Sequence, residues 1–292
     1  MTILGQREYT VRQELTLSNE GPGQPEKQNL WVALIRDFPP YQQVRSTTIS
    51  PQDYTLVTDE LGNQYAEFDF SSHPAGTTKT VQVDYRVVVF ELAYDLSACE
   101  GELRKDFIQP ELHIESANPQ IAALANNLSQ GETDICQQVF AFYNYTGDNL
   151  VYGYNGINWG AQAALGSMGA DCTEYTDLVI ALSRARGIPA RYFEGLLYLG
   201  KDNPSSANIE HAWPDVYLPG VGWAALDPTL GRSPVKRKTY FAHYLPDHII
   251  VTLGPNPSTL RGSSYWTHIY WPGESTKIHI SAKKWEVNLI EK

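Results

Sequence analysis

Apolar and polar positions alternate along most of the first 110 residues. The stretches YTVRQELTLS, NLWVALI, QYAEFDF and TVQVDYRVVVFEL have a period near two, which predicts strands with one buried face. DELGNQY supplies a hairpin turn at Gly62 and Asn63. Short strands broken by turns at this spacing predict a small antiparallel β-sandwich.

From about residue 117 the period lengthens. ANPQIAALANNLSQ and ETDICQQVFAFYNYT are helical, the second with Ile135, Val139 and Phe142 on one face. Residues 150 to 170, rich in Gly, Tyr and Asn, predict a loop lining a cleft. The stretch GADCTEYTDLVIALSRARGIPARY then reads as a helix from about Asp171 to Arg186. Asp171 is its N-cap, with Glu174 as capping-box partner, and Gly187 and Pro189 end it. The run Leu178, Val179, Ile180, Ala181, Leu182 is apolar all round, so this helix is expected in the core. ARYFEGLLYL, HAWPDVYL, GWAALD, HIIVTL and TKIHISAKKWEVNLI follow as strands. Helices followed by strands, without βαβ alternation, give an α+β domain. The expected division is a β-sandwich over residues 1–112 and an α+β domain over 113–292.

Composition narrows the class. The 292 residues are 42% hydrophobic and 19% charged, an ordinary globular balance. A net charge of −11 argues against general binding to nucleic acid or an anionic membrane. The amino terminus has neither a basic nor an apolar leader region, and no stretch reaches membrane-spanning length, so a cytoplasmic protein is expected. Cys99, Cys136 and Cys172 are an odd, widely spaced set with no C-x-x-C pair. Neither a disulfide framework nor a zinc site is expected, and Cys136 reads as a packed core thiol.

Cys172 differs by its position as the first residue of a helix. Free backbone N–H groups and the helix dipole there favour thiolate over thiol, the nucleophilic form. Asp171 and Glu174 oppose this, so a second cation is required. HAWPDVYLPGVGWAALDPTLG supplies a candidate base, His211, at the start of one strand and a candidate orienting carboxylate, Asp227, at the end of the next. A hairpin centred on Pro219 would set His211 opposite Asp227, with Pro214 at a bulge or an edge. Arg191 reads as a support of the fold, and Trp213 and Trp223 as packing around the hairpin.

These blocks resemble the transglutaminase-like superfamily. That family carries Cys at a helix N-terminus ahead of R-x-x-G-I-P-A-R, then H-A-W, then G-W-x-x-x-D-P-T, and the likeness here runs over about residues 120 to 232. The strand-rich stretch before it is similar to bacterial members described as candidate cysteine proteases. The resemblance implies a papain-like catalytic core with Cys172 as nucleophile, His211 as base and Asp227 as orienter. It implies acyl transfer through a thioester on peptide or side-chain amides, with a peptide or protein substrate. No metal-ligand cluster is visible in the sequence, so neither metal nor cofactor is expected. Hydrolysis, by a protease or amidase, is the expected outcome; a transglutaminase using an amine, or a non-catalytic interaction module, are the alternatives. The oxyanion is expected on the backbone N–H of Cys172, with Asn158, Trp159 and Gln162 as candidates for a second donor.

Overall fold

The structure is a computed structural model that describes residues 1–154, 159–166, 169–200 and 209–291. Its chain divides into two compact units, one of residues 6–89, 195–210 and 247–292, the other of residues 1–5, 90–194 and 211–246.

Strands β1 (Thr2–Asn19), β2 (Lys27–Leu34), β3 (Gln42–Ser50), β4 (Thr55–Thr58), β5 (Gln64–Asp69) and β6 (Thr78–Ala93) come first in the chain. In the strand-rich unit, β3 pairs antiparallel with β6, while β5 lies between β2 and β4 in a separate sheet. The alternation read in the sequence is the alternation of burial. In β1, Tyr9, Val11, Leu15 and Leu17 point inward between more exposed neighbours, each worth about 1.5–3 kcal/mol when taken from water. The predicted hairpin joins β4 to β5. Asp59 accepts the backbone N–H groups of Leu61 and Asn63, and Gly62 takes a φ of 78°, which favours glycine.

Helices α1 (Pro119–Leu128), α2 (Ile135–Asn149), α3 (Ala161–Ala164) and α4 (Cys172–Ala185) follow, then β7 (Ala190–Leu197), β8 (Glu210–Leu218), β9 (Gly222–Ala225) and β10 (His243–Tyr244). In this second unit α1, α2 and α3 pack on α4, whose residues from Glu174 to Arg184 are all buried. Its C-terminus closes as a Schellman motif, with Ile188 N–H on the Ser183 carbonyl, Gly187 N–H on Arg184, and Gly187 at a φ of 71°.

The last strands, β11 (His248–Leu253), β12 (Trp266–Trp271), β13 (Ile278–Ala282) and β14 (Glu286–Leu289), correct the expected division at residue 112. β12 pairs with β2, and β13 and β14 both pair with β1, so the C-terminal segment completes the sheets begun by the N-terminal one. Backbone groups along β1 and β2 need partners, and the chain supplies them from some 250 residues away. The stretch read as one strand, TKIHISAKKWEVNLI, is broken into β13 and β14.

A second correction concerns the cysteines. Cys99 and Cys136 form a disulfide, with Cα atoms 6.1 Å apart and a sequence separation of 37, and Cys136 is not a free core thiol. It ties the segment ahead of the helices to the first turn of α2. A loop of this length stabilises by about 3–4 kcal/mol in the chain-entropy account. Iodoacetamide on the folded, unreduced protein should therefore attach at Cys172 alone, and Cys136→Ala should lower unfolding stability by about 3 kcal/mol. Labelling of Cys99 or Cys136 without reductant would disprove the bridge.

Candidate active site

Cys172 is set at the N-terminus of α4 by the cap the sequence predicts. Asp171 accepts the N–H of Thr173 at 3.0 Å, Glu174 accepts the N–H of Asp171 at 2.9 Å, and the reciprocal capping box is complete. The cap consumes neighbouring donors and leaves the N–H of Cys172, the first helical residue, outside the intrahelical ladder. The thiol is half-buried and is the free cysteine of the chain.

His211 lies near the start of β8, and its Nε2 is 2.9 Å from Asp227 Oδ2. Both side chains are buried. Burial by itself disfavours the imidazolium, but the charge and hydrogen bond of Asp227, then the hydrogen bond and charge of Cys172, outweigh it and push the His211 pKa up to about 9. His211 thus lies between carboxylate and thiol. With Nε2 on Asp227, Nδ1 is the nitrogen left for the sulfur. This is the cation that the sequence requires, and Trp213 stacks on it with ring centres 5.9 Å apart and planes at 25°.

The route to this contact differs from the expected register. β8 and β9 pair as Asp215↔Ala225 through Leu218↔Gly222, so the hairpin is centred on Gly220, at a φ of 73°, instead of Pro219. Asp227 stands beyond the end of this ladder: its N–H goes to the Tyr240 carbonyl, and Leu226 bridges to Phe241. The two residues therefore meet through their side chains and are not cross-strand partners. Pro214 is not at an edge either, because β8 lies between β7 and β9.

Asp227 is fixed on every side. Its Oδ1 accepts the N–H of Leu230 at 2.8 Å, and its carbonyl accepts the N–H of Gly231 at 2.9 Å and the Tyr143 hydroxyl at 3.2 Å. The same hydroxyl bonds the Arg237 carbonyl at 3.0 Å. Only glycine fits at 231, since a Cβ there would lie 1.6 Å from the Tyr143 oxygen. Tyr143 is a positioning residue that sequence reading missed. Its signal was no more than a place on the apolar face of α2, beside Val139 and Phe142, both buried.

Arg191 supports the fold as expected, with an ion pair to buried Asp215 and its guanidinium 3.8 Å over the Trp223 ring. Of the candidates for a second oxyanion donor, Trp159 stands edge-on to His113, and the backbone N–H of Gln162 goes to Glu115 at 3.2 Å. The third, Asn158, lies outside the described residues.

The family model of the Transglutaminase-like superfamily matches residues 122–228, a range that includes Cys172, His211 and Asp227. Over these residues the chain is similar to that superfamily. Two curated relatives align with it. One is the uncharacterized protein YebA of Bacillus subtilis, 26% identical over 212 residues, covering 64% of this chain and 28% of that protein. The other is a protein-glutamine gamma-glutamyltransferase of Pseudomonas aeruginosa, 27% identical over 165 residues, covering 51% of this chain and 24% of that protein. The chain thus spans about a quarter of the length of each. A solved structure from Cytophaga hutchinsonii, described as a candidate cysteine protease, has the same fold. It superimposes with a TM-score of 0.70 at 15% identity, over 99% of this chain and 92% of that one. The fold is therefore shared over the strand-rich unit as well as the helical one.

Proposed function

We propose that this protein is a cysteine-dependent acyl-transfer enzyme acting on peptide or side-chain amides. The observation that carries the reading is His211, held between Asp227 and the Cys172 thiol at the N-terminus of α4. The Cys172 thiolate attacks the amide carbonyl, and the oxyanion formed is met by the free N–H of Cys172. The C–N bond breaks as imidazolium gives its proton to the departing amine, leaving a thioester and neutral imidazole. Water then attacks the thioester while His211 takes its proton, and the acid is released with the thiolate and imidazolium restored.

Hydrolysis is the first reading because the Cytophaga hutchinsonii protein of the same fold is described as a candidate cysteine protease. The Pseudomonas aeruginosa relative's name keeps transfer to an amine as the second reading. The test is incubation with peptides, glutamine-containing ones among them, with and without an isotope-labelled primary amine, read by mass spectrometry. Cleavage or deamidation unaffected by the amine is the expected result. Incorporation of the amine would convert the assignment to a transglutaminase, and no change in either arm would leave an interaction module.

The Cys99–Cys136 bridge bears on location. Disulfides persist in oxidising compartments and are rare in reducing ones, so we place the protein in an oxidising compartment in preference to the cytoplasm the sequence suggests. No helix among the described residues is long and apolar enough to cross a membrane.

A further inference from the structure

The acids around the nucleophile, Asp171, Glu174 and Asp227, belong to a chain of net charge −11. An anionic substrate would be repelled there unless a cation met it locally. Arg232, five residues after Asp227, is such a cation. It ends the short 3₁₀ turn Leu230–Arg232, is half-buried, and lays its guanidinium carbon 4.4 Å over the ring of Tyr152. One of its N–H groups bonds the Thr229 carbonyl. Among the described residues it meets no carboxylate, whereas Arg184, Arg191 and Arg237 of the same unit pair with Glu111, Asp215 and Asp148. A guanidinium has five N–H donors in a planar fork suited to a carboxylate.

Tyr152 links Arg232 to the nucleophile. Residues 151–153 run alongside Ala170, with Ala170 N–H on the Val151 carbonyl and Gly153 N–H on Ala170, two residues before Cys172. Burial and then the charge of Cys172 raise the Tyr152 pKa, while Arg232 lowers it. Tyr152 is 53% exposed, so the ring under the guanidinium is reached by solvent.

We propose that Arg232, stacked on Tyr152, binds a carboxylate of the acyl donor, so that preferred substrates carry one within a residue or two of the amide attacked. Arg232 lies over Tyr152, and Tyr152 pairs with Ala170 two residues before the nucleophile, so a carboxylate held there would be near in sequence to the amide attacked. The carboxylate is supplied by an acidic side chain or by a free C-terminus. The proposal rests on the acyl-transfer reading for its substrate, but the anion site has a readout that needs no turnover.

That readout is alkylation of Cys172, in which the thiolate displaces iodide from iodoacetate, an anion, or from neutral iodoacetamide. Arg232→Gln should slow iodoacetate by about tenfold to a hundredfold, the worth of a charge-assisted pair, and leave iodoacetamide within about twofold. Equal losses with both reagents, or no loss with either, would reduce Arg232 to a clamp on Tyr152 and overturn the proposal. Should this variant fail to fold, Arg232→Lys decides: it keeps the charge but loses the planar fork, so iodoacetate should slow by severalfold while iodoacetamide is spared, and an equal response of the two overturns the site. Peptides matched except for an acidic side chain, a free C-terminal carboxylate or neither then identify the source, and the neutral peptide should have the highest KM. A neutral peptide turned over as well as both acidic ones overturns the substrate assignment. An intact preference for iodoacetate without turnover of any peptide would sink the acyl-transfer reading and leave the anion site standing.

Discussion

Cys172→Ala should remove turnover altogether, by roughly 10⁴-fold or more, and leave the unfolding free energy within about 1 kcal/mol of wild type. The thiol is the group on which the proposed covalent step depends, while its packing is slight: it is half-buried at a helix N-terminus, and losing one sulfur there leaves little cavity. The cap of α4 does not involve the Cys172 side chain, so the helix should start where it does now. Activity of the purified variant and its urea midpoint check both halves. A loss of about 3 kcal/mol or more would return Cys172 to a packing role.

Asp227→Asn is expected to be nearly as damaging for activity by a different route. Asparagine can still accept the Leu230 N–H, so the turn survives. What disappears is the charge that holds His211 as a cation, and turnover should fall by at least about a hundredfold. Alkylation of Cys172 at pH 6 should slow with it, because the imidazolium beside the sulfur has lost its support.

The same substitution has a signature in stability. The His211 pKa is raised in the folded state to about 9 from an ordinary 6.5, so the folded state holds a proton that the unfolded chain gives up. The stability this confers is complete below pH 6.5 and is lost as pH rises through about 9, a change on the order of 3 kcal/mol. Wild type minus Asp227→Asn, from denaturant midpoints at pH 6 and pH 9.5, should show that difference shrinking at the higher pH. A constant difference, with unchanged turnover, would mean Asp227 only shapes the turn before Pro228.

Much of the site is legible from local rules. Asp171, Cys172 and Glu174 are read correctly because an N-cap is decided by residues three apart, and Gly187 ends α4 because only a left-handed position closes that turn. The hairpin register was less accessible. Its ladder is centred one residue from the expected point, since Gly220 and not Pro219 takes the positive φ, and Asp227 reaches His211 from outside the ladder. β3 escaped notice altogether: among the described residues Gln42–Ser50 pairs with β6 alone and is mostly exposed, and such an edge strand has little apolar alternation to show.

The sequence by itself determined most of the elements and the order of the candidate residues. Periods of two and of near four, the caps and turn residues, and the order of Cys172, His211 and Asp227 are properties of neighbours along the chain. Tertiary structure alone decided which distant residues meet: Cys99 with Cys136, β12 to β14 with β1 and β2, Tyr143 with the Asp227 carbonyl, Arg232 with Tyr152. The physical reason is that such pairs are chosen by burial and backbone pairing over the whole fold, where unpaired polar groups are costly and close approach is set by packing. No periodicity records that choice.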